Sequence, residues 1–382
     1  MPDRRILSID VFRGLAVAGM VLVNNPGTWG AVYAPLRHAD WHGWTPTDLI
    51  FPFFLFIVGV AIPLALGRRL GEGLKRGDIV RRILRRSAVI FALGFILHAV
   101  SNFDAATIRI PGVLQRIAVC YLVAALFFVF TGWRVQAGAA VIALLGYWAL
   151  LTLVPVPGFG PGDLGKEGNL AAWLDRALLG PHIWRLGRVY DPEGILSTPP
   201  AIATTLFGVL TGHFIRAARS ATAAVRGLVI GGAAAMAIGL GWARFFPINK
   251  SLWTSSYAVF MAGMAMNCFA VSYWLVDVQG WRRWAKPFAI YGMNAIAVFM
   301  LSGLLGRILP AIKVTSAAGK KVGLQAYLYD SLFVPFASPD TAPFLGCLAS
   351  PKNASLMWAL IYCAMLYLVA YGMYRRKWFL KF

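Results

Sequence analysis

About ten stretches of this chain run close to twenty residues each with few or no charges, near 8–26, 46–66, 84–101, 112–131, 136–154, 198–215, 224–244, 253–275, 287–308 and 355–374. A helix needs ~20 predominantly apolar residues to cross the hydrocarbon of a bilayer. The expected fold is therefore all-α: a polytopic integral membrane bundle of about ten transmembrane helices, forming a single domain over 1–382. Composition agrees, because hydrophobic residues make up 59% of the chain and charged residues only 13%. A soluble domain carries roughly 25% charged residues to keep its surface wet. The first run follows Arg4 and Arg5 but contains Asp10 and Arg13, and no small-residue cleavage site with a soluble domain follows it. It reads as a retained span and not as a signal peptide.

Charge sets the orientation. The loop after the second run carries Arg68, Arg69, Lys75, Arg76, Arg81, Arg82, Arg85 and Arg86, and such a basic loop belongs on the cytoplasmic side. Alternation from there places Arg134, then Arg216 with Arg219 and Arg226, then Arg282 with Arg283 and Lys286, on the same side. Both termini follow, the tail with Arg375, Arg376, Lys377 and Lys381. The expected location is a bacterial inner membrane, crossed many times. The opposite face holds the longer segments, 27–45, 102–111, 155–197, 245–252 and 309–354, and long loops in compact proteins are commonly functional. Lys320 and Lys321 fall on that side, which long loops tolerate.

The net charge of +21 does not indicate a nucleic-acid partner, since the cations form short runs between apolar segments and no continuous stripe. The expected surrounding partner is the lipid bilayer. Cys120, Cys268, Cys347 and Cys363 are far apart and show no metal-ligand spacing, so neither a disulfide framework nor a metal site is expected. The sequence permits a homodimer without requiring one.

Polar groups in or beside a membrane span are costly, and each is a functional candidate. The segment Arg37-His38-Ala39-Asp40-Trp41-His42-Gly43-Trp44 places two histidines, a carboxylate and two tryptophans within eight residues. The tryptophans suit interfacial anchors. A neutral imidazole is the usual general base near neutral pH. The spacing of His38 and His42 suits a metal pair on a helix, but Gly43 and Pro46 argue against a helix there. Thr45-Pro46-Thr47-Asp48 reads as a capped helix start, with Asp48 facing the positive helix end. Asn24 and Asn25 precede a Pro-Gly turn; they either stop the first helix or supply an amide to a carbonyl. Arg116 lies more than one turn inside the fourth run and needs a partner, for which Asp48 and Glu193 are the candidates. The segment 191–200 offers two carboxylates and two hydroxyls, and 246–254 adds Asn249 and Lys250 on the same face. His98, His213 and Asn294 are further polar groups within apolar runs.

Six motifs occur in order: Asp10-Val11-Phe12-Arg13-Gly14, His38-Ala39-Asp40-Trp41-His42-Gly43, Thr47-Asp48-Leu49-Ile50-Phe51-Pro52, Pro111-Gly112-Val113-Leu114-Gln115-Arg116-Ile117, Asp191-Pro192-Glu193-Gly194 and Pro247-Ile248-Asn249-Lys250-Ser251-Leu252-Trp253. Together they resemble the transmembrane heparan-alpha-glucosaminide N-acetyltransferase family and its bacterial homologues, from residue 4 to about 300. The resemblance implies transfer of the acetyl group of cytoplasmic acetyl-CoA to the amine of a glucosamine-type sugar on the far side. It puts the family's active histidine at His38 and the accompanying asparagine at Asn24. The long N-terminal lumenal domain of the animal members has no counterpart before the first run. The implied acceptor is accordingly a small amino sugar or cell-wall fragment.

The expected catalytic set is His38, as general base or transient acetyl carrier, with Asn24 polarising the thioester carbonyl and Asp48 orienting. The expected substrate-binding set is Arg116, Glu193, Asn249, Lys250, Trp41 and Asn294. Two alternatives stay open. An amino-sugar transporter would favour an inverted repeat, which the sequence does not show. An O-acetyltransferase acting on an exported glycan keeps the chemistry and changes the acceptor.

Overall fold

The computed structural model describes residues 6–101, 103–316, 319–338, 340, 346 and 349–380. Arg4, Arg5, Cys347 and Lys381 lie outside the described residues. Among the described residues the regular structure is almost all helix: α1 Leu7–Asn24, α2 Ile50–Gly71, α3 Arg76–Ser101, α4 Val113–Phe130, α5 Trp133–Leu153, the short α6 Leu170–Leu179, α7 Thr198–Ala217, α8 Ala221–Trp242, α9 Ser255–Tyr273, α10 Lys286–Met293, α11 Ala295–Ala311, α12 Leu324–Leu332 and α13 Pro351–Arg375. Strands β1 Lys313–Thr315 and β2 Lys321–Gly323 form one antiparallel hairpin.

Eight helices among the described residues are long and apolar enough to cross a membrane, and α10 with α11, bent by 81° at Asn294, makes a ninth if counted as one span. The tenth expected position is α7, a helix of 20 residues. Its prolines, threonines and His213 dilute the apolar run. They are tolerated because α7 is enclosed in the bundle: Thr204 and Thr205 are fully buried, and each donates its hydroxyl to the carbonyl one turn back. By contrast α5, α8 and α13 keep most of their apolar side chains on the outside, as helices facing lipid do.

Two glycine contacts set the packing. Where α2 crosses α7, a methyl group on Gly59 would lie 2.0 Å from the Thr205 carbonyl oxygen, and one on Gly208 would lie 2.1 Å from that of Phe56. Gly14 and Gly292 meet in the same way where α1 crosses α10. Small residues permit this backbone approach, which drives helix association in lipid. The start of α1 is satisfied from a distance: the Asp277 carboxylate accepts from the backbone N–H groups of Leu7 at 3.0 Å and Ser8 at 2.9 Å. It fills orphan positions that every helix N-terminus leaves open.

The two ends of the bundle differ. The connections carrying the Arg and Lys runs form a basic end. The segments 27–49, 102–112, 155–197 and 245–254 converge at the opposite, loop end. There Gly43 pairs in a parallel bridge with Asn249, Ile110 donates its N–H to the His182 carbonyl, and the Trp41 indole donates to the Leu164 carbonyl at 2.8 Å.

Candidate functional site: a His–Asp–Lys cluster and a basic cavity

Asp48 is the fixed point of the loop end. Pro46–Leu49 forms a 3-10 turn that runs directly into α2, with Thr45 before it. This is the capped start read from the sequence. Asp48 is fully buried, and one carboxylate oxygen, Oδ2, accepts from the backbone N–H groups of Ala39 and Thr45, each at 3.0 Å, and from the Thr45 hydroxyl at 3.1 Å. The other oxygen, Oδ1, lies 2.6 Å from Nδ1 of His38. A contact this short with a carboxylate puts a hydrogen on Nδ1, so that in the neutral imidazole it is Nε2 that keeps the lone pair. The His38 side chain is about half exposed, at 47%, while that of Asp48 is at 1%.

The third member comes from the other half of the chain. The Lys250 Nζ lies 3.0 Å from Nδ1 and 3.1 Å from Nε2 of His38, and 3.6 Å from Asp48 Oδ1. Its placement follows from a tightly bonded loop. Asn249 Oδ1 accepts from Leu252 N–H, Asn249 N–H donates to the Thr254 hydroxyl, and Ser256 donates to the Phe246 carbonyl. The Tyr147 hydroxyl closes the turn by donating to the Leu252 carbonyl. Burial pulls the Lys250 ammonium below the usual lysine range, against the opposing pull of the Asp48 and Glu193 carboxylates.

The other expected site residues divide. Trp41 stacks edge-on against Tyr190 and carries Lys166 over its ring, as a wall beside the cluster. Asn249 holds its own loop, and its amide nitrogen lies 3.4 Å from His42 Nδ1. Arg116 does not pair with Asp48 or Glu193, as the sequence suggests. It is buried and donates to the Pro192 and Gly194 carbonyls at 2.9 and 3.0 Å and to the Ser197 hydroxyl, with its guanidinium over the Trp253 ring. It clamps the 192–197 turn to α4. Glu193 is taken by Arg109, which also binds Asp191 in a two-pronged pair at 2.8 and 2.5 Å. Burial works against the Arg109 charge, but the Glu193 and Asp191 carboxylates outweigh it and hold the guanidinium above its usual range. Sequence reading did not single out Arg109, although its position just before the Pro111-Gly112 turn and opposite the acidic 191–193 segment is a usable signal.

Asn24 ends α1 with an exposed side chain, and its amide makes no side-chain hydrogen bond among the described residues. Its neighbour Asn25 is the bonded one, donating to the Val21 carbonyl and the Ser302 hydroxyl. Asn294 stands apart from the cluster, at the α10–α11 bend. It binds the C-terminal segment through the Trp378 carbonyl and the Leu380 N–H.

Inside the bundle a cavity of about 650 Å³ opens among α1, α2, α3, α4 and α10–α11, lined by none of His38, Asp48 and Lys250. Its α2 wall runs from Phe54 through Val58, Ile62 and Leu66 to Arg68 and Arg69, about 22 Å at ~1.5 Å per residue. Arg13, Arg68, Arg69, Arg82 and Arg86 line it, against the single carboxylate of Asp10. The upper wall is apolar, with Ile90, Leu114 and Ile117. Asp48 stands about 9 Å further along the helix axis than Phe54. The volume is that of a small-molecule site, and the lining grades from cationic at the basic end to apolar toward the cluster.

Residues 5–168 match the family described as the catalytic part of heparan-alpha-glucosaminide N-acetyltransferase. The chain is 31% identical to heparan-alpha-glucosaminide N-acetyltransferase of Homo sapiens over an alignment of 354 positions, covering 78% of this chain and 52% of the human protein. The Mus musculus protein of the same name is also 31% identical, with 53% of it covered. The chain thus spans about half the length of these relatives. The family match includes His38, Asp48 and most of the cavity lining, while Arg116 holds a loop beyond its end.

Proposed function

The chain belongs to the heparan-alpha-glucosaminide N-acetyltransferase family, and from that premise we propose that it moves an acetyl group from acetyl-CoA, entering at the basic end, to the amine of a glucosamine-type sugar arriving at the loop end. Two observations carry this reading together: the His38–Asp48 pair at the loop end, and within the same bundle a cavity lined by five arginines at its basic end. Phosphates of a nucleotide donor suit arginine forks, and the apolar upper wall suits an uncharged thioester arm. The basic end then faces the cytoplasm, as loop charge predicts, in a bacterial inner membrane.

In this mechanism Asp48 holds His38 with Nδ1 protonated, so Nε2 is free to take a proton. As the acceptor nitrogen adds to the thioester carbonyl, Nε2 removes one of its protons. The C–N bond forms, the C–S bond breaks, and the proton passes to the departing thiolate. A two-step route, with the acetyl group first on Nε2, uses the same atoms and gives the same products. The free amide of Asn24 is assigned to the thioester carbonyl. General-base help of this kind is worth roughly 10²–10⁴-fold. Trp41 and Lys250 border the space where the sugar would stand.

The test is purified protein with acetyl-CoA and a panel of amino sugars, following release of free thiol. Turnover with at least one amino sugar, lost in His38→Ala, is the expected result. Near-full activity in His38→Ala overturns the assignment. Sugar uptake into proteoliposomes without acetyl-CoA, and no thiol release with any acceptor, would establish the transport alternative in its place.

A further inference from the structure

Lys250 stands against the base that an acceptor amine has to meet. Its Nζ is 3.0 Å from Nδ1 and 3.1 Å from Nε2 of His38, which puts it over the face of the ring, at hydrogen-bond distance from Nε2 and a side-chain rotation away from its in-plane lone pair. The side chain is only 20% exposed and projects from a loop with almost no freedom, held by Asn249, Thr254, Ser256 and Tyr147. A bridge from Gly43, on the same segment as His38, locks the two loops together. Asp48 is the counter-charge for the ammonium, yet at 3.6 Å and with Oδ1 already engaged by His38 it is a loose one. Burial lowers the proton affinity of Lys250 further, so a larger share of this lysine than of an exposed one is present as the neutral amine that attacks carbonyls.

We propose that Lys250 is a self-acetylation site: with acetyl-CoA bound and no sugar present, its amine captures the acetyl group and shuts the site. The inference rests on the acetyl-transfer reading above. In the step the neutral Nζ adds to the acetyl carbonyl, a C–N bond forms and the C–S bond to CoA breaks. One proton leaves Nζ through His38 Nε2 and ends on the CoA thiolate. The products are an Nε-acetyl-lysine and free CoA. A lysine that starts as the ammonium first gives its extra proton to solvent. The product is an amide that His38 does not cleave at a useful rate, and it leaves a neutral, bulkier group beside the imidazole with Asp48 stripped of the Lys250 charge. A sugar in the site displaces Lys250 from His38 and intercepts the acetyl group. The acceptor thereby protects the enzyme from its own donor.

The experiment is incubation of the full-length protein in detergent with radiolabelled acetyl-CoA, with and without glucosamine, followed by peptide mass spectrometry and by assay of remaining thiol-release activity. Label is expected on Lys250 well above the exposed Lys313, Lys320 and Lys352, with activity decaying in step and glucosamine slowing both at least several-fold. His38→Ala should lose most of the Lys250 label. Lys250→Arg keeps the positive charge and should resist donor-dependent decay, measured against its own starting activity. Equal labelling of Lys250 and the exposed lysines, or unchanged Lys250 label in His38→Ala, overturns the proposal as unspecific chemistry. Sugar-dependent thiol release with an unlabelled Lys250 overturns this inference alone. Neither turnover nor label overturns the parent reading as well.

Discussion

Replacing Asp48 by Asn tests the core of the site. The carboxylate accepts one hydrogen bond from His38, two from backbone N–H groups and one from the Thr45 hydroxyl, all while buried. Asparagine fits the space but offers one accepting oxygen. If that oxygen keeps Ala39 and Thr45, the amide NH₂ faces His38. The imidazole must then accept at Nδ1 and carry its hydrogen on Nε2, the atom that has to take the proton. Loss of the base predicts a fall in kcat of about 10²–10⁴-fold. Lys250 also loses its counter-charge, and stranding one partner of a buried pair costs on the order of 3 kcal/mol. Thermal unfolding in detergent should therefore show a clear loss. The double variant Asp48→Asn/Lys250→Met should recover part of the stability and none of the activity. Rates from thiol release must be normalised to folded protein, because both effects act together. Activity within threefold of wild type in a folded Asp48→Asn protein would refute the orienting role. Full stability recovery together with recovered activity would show that the charge balance, and not the tautomer, was what mattered.

Three further outcomes follow from the same geometry. Arg82→Gln with Arg86→Gln at the cavity mouth should raise KM for acetyl-CoA by tenfold or more, at about 1.5–3 kcal/mol for each bond to a charged group, and leave KM for the sugar unchanged in steady-state kinetics. Gly59→Val should destabilise the bundle severely or abolish folding, since a methyl there meets backbone of α7 at 2.0 Å; size-exclusion profiles and melting curves report it. Burial, with the neighbouring Asp191 charge, pushes the Asp175 carboxyl from 3.8 up to about 6, against the pull of the Ile195 N–H. The folded state thus binds the proton more tightly. Its contribution to stability is complete below pH ~3.8 and is lost as pH rises through 6, amounting to at most about 3 kcal/mol. Melting temperatures across that window should fall for the wild type and fall less for Asp175→Asn.

Apolar run length and loop charge are local properties, read by the bilayer one segment at a time, and they determined most of the fold. The helices lie where the runs predict, and the basic loops cluster at one end. α7 is the instructive exception. Its sequence is too polar to announce a span on its own, and its enclosure by α2, α4 and α5 supplies what hydropathy lacks. Asp48 and His38 were also legible, because a capping turn and a histidine ten residues before it form a local unit. Asn294 was read as part of the site and instead ties down the C-terminal tail. Its amide carries no local cue to which end of the bundle it serves.

What only the tertiary structure decided is the company each polar residue keeps. Lys250 reaches His38 across 212 positions of sequence, because α2 and α9 start at the same end and the Gly43–Asn249 bridge brings their leading loops together. Arg109 takes both carboxylates of the 191–193 turn, which sends Arg116 to backbone carbonyls and the face of Trp253. Pairings of this kind depend on which loops the packed helices deliver to one place. A bilayer constrains how long each helix is and which way it points; the neighbours of its ends are set by close contacts such as Gly59 against Gly208.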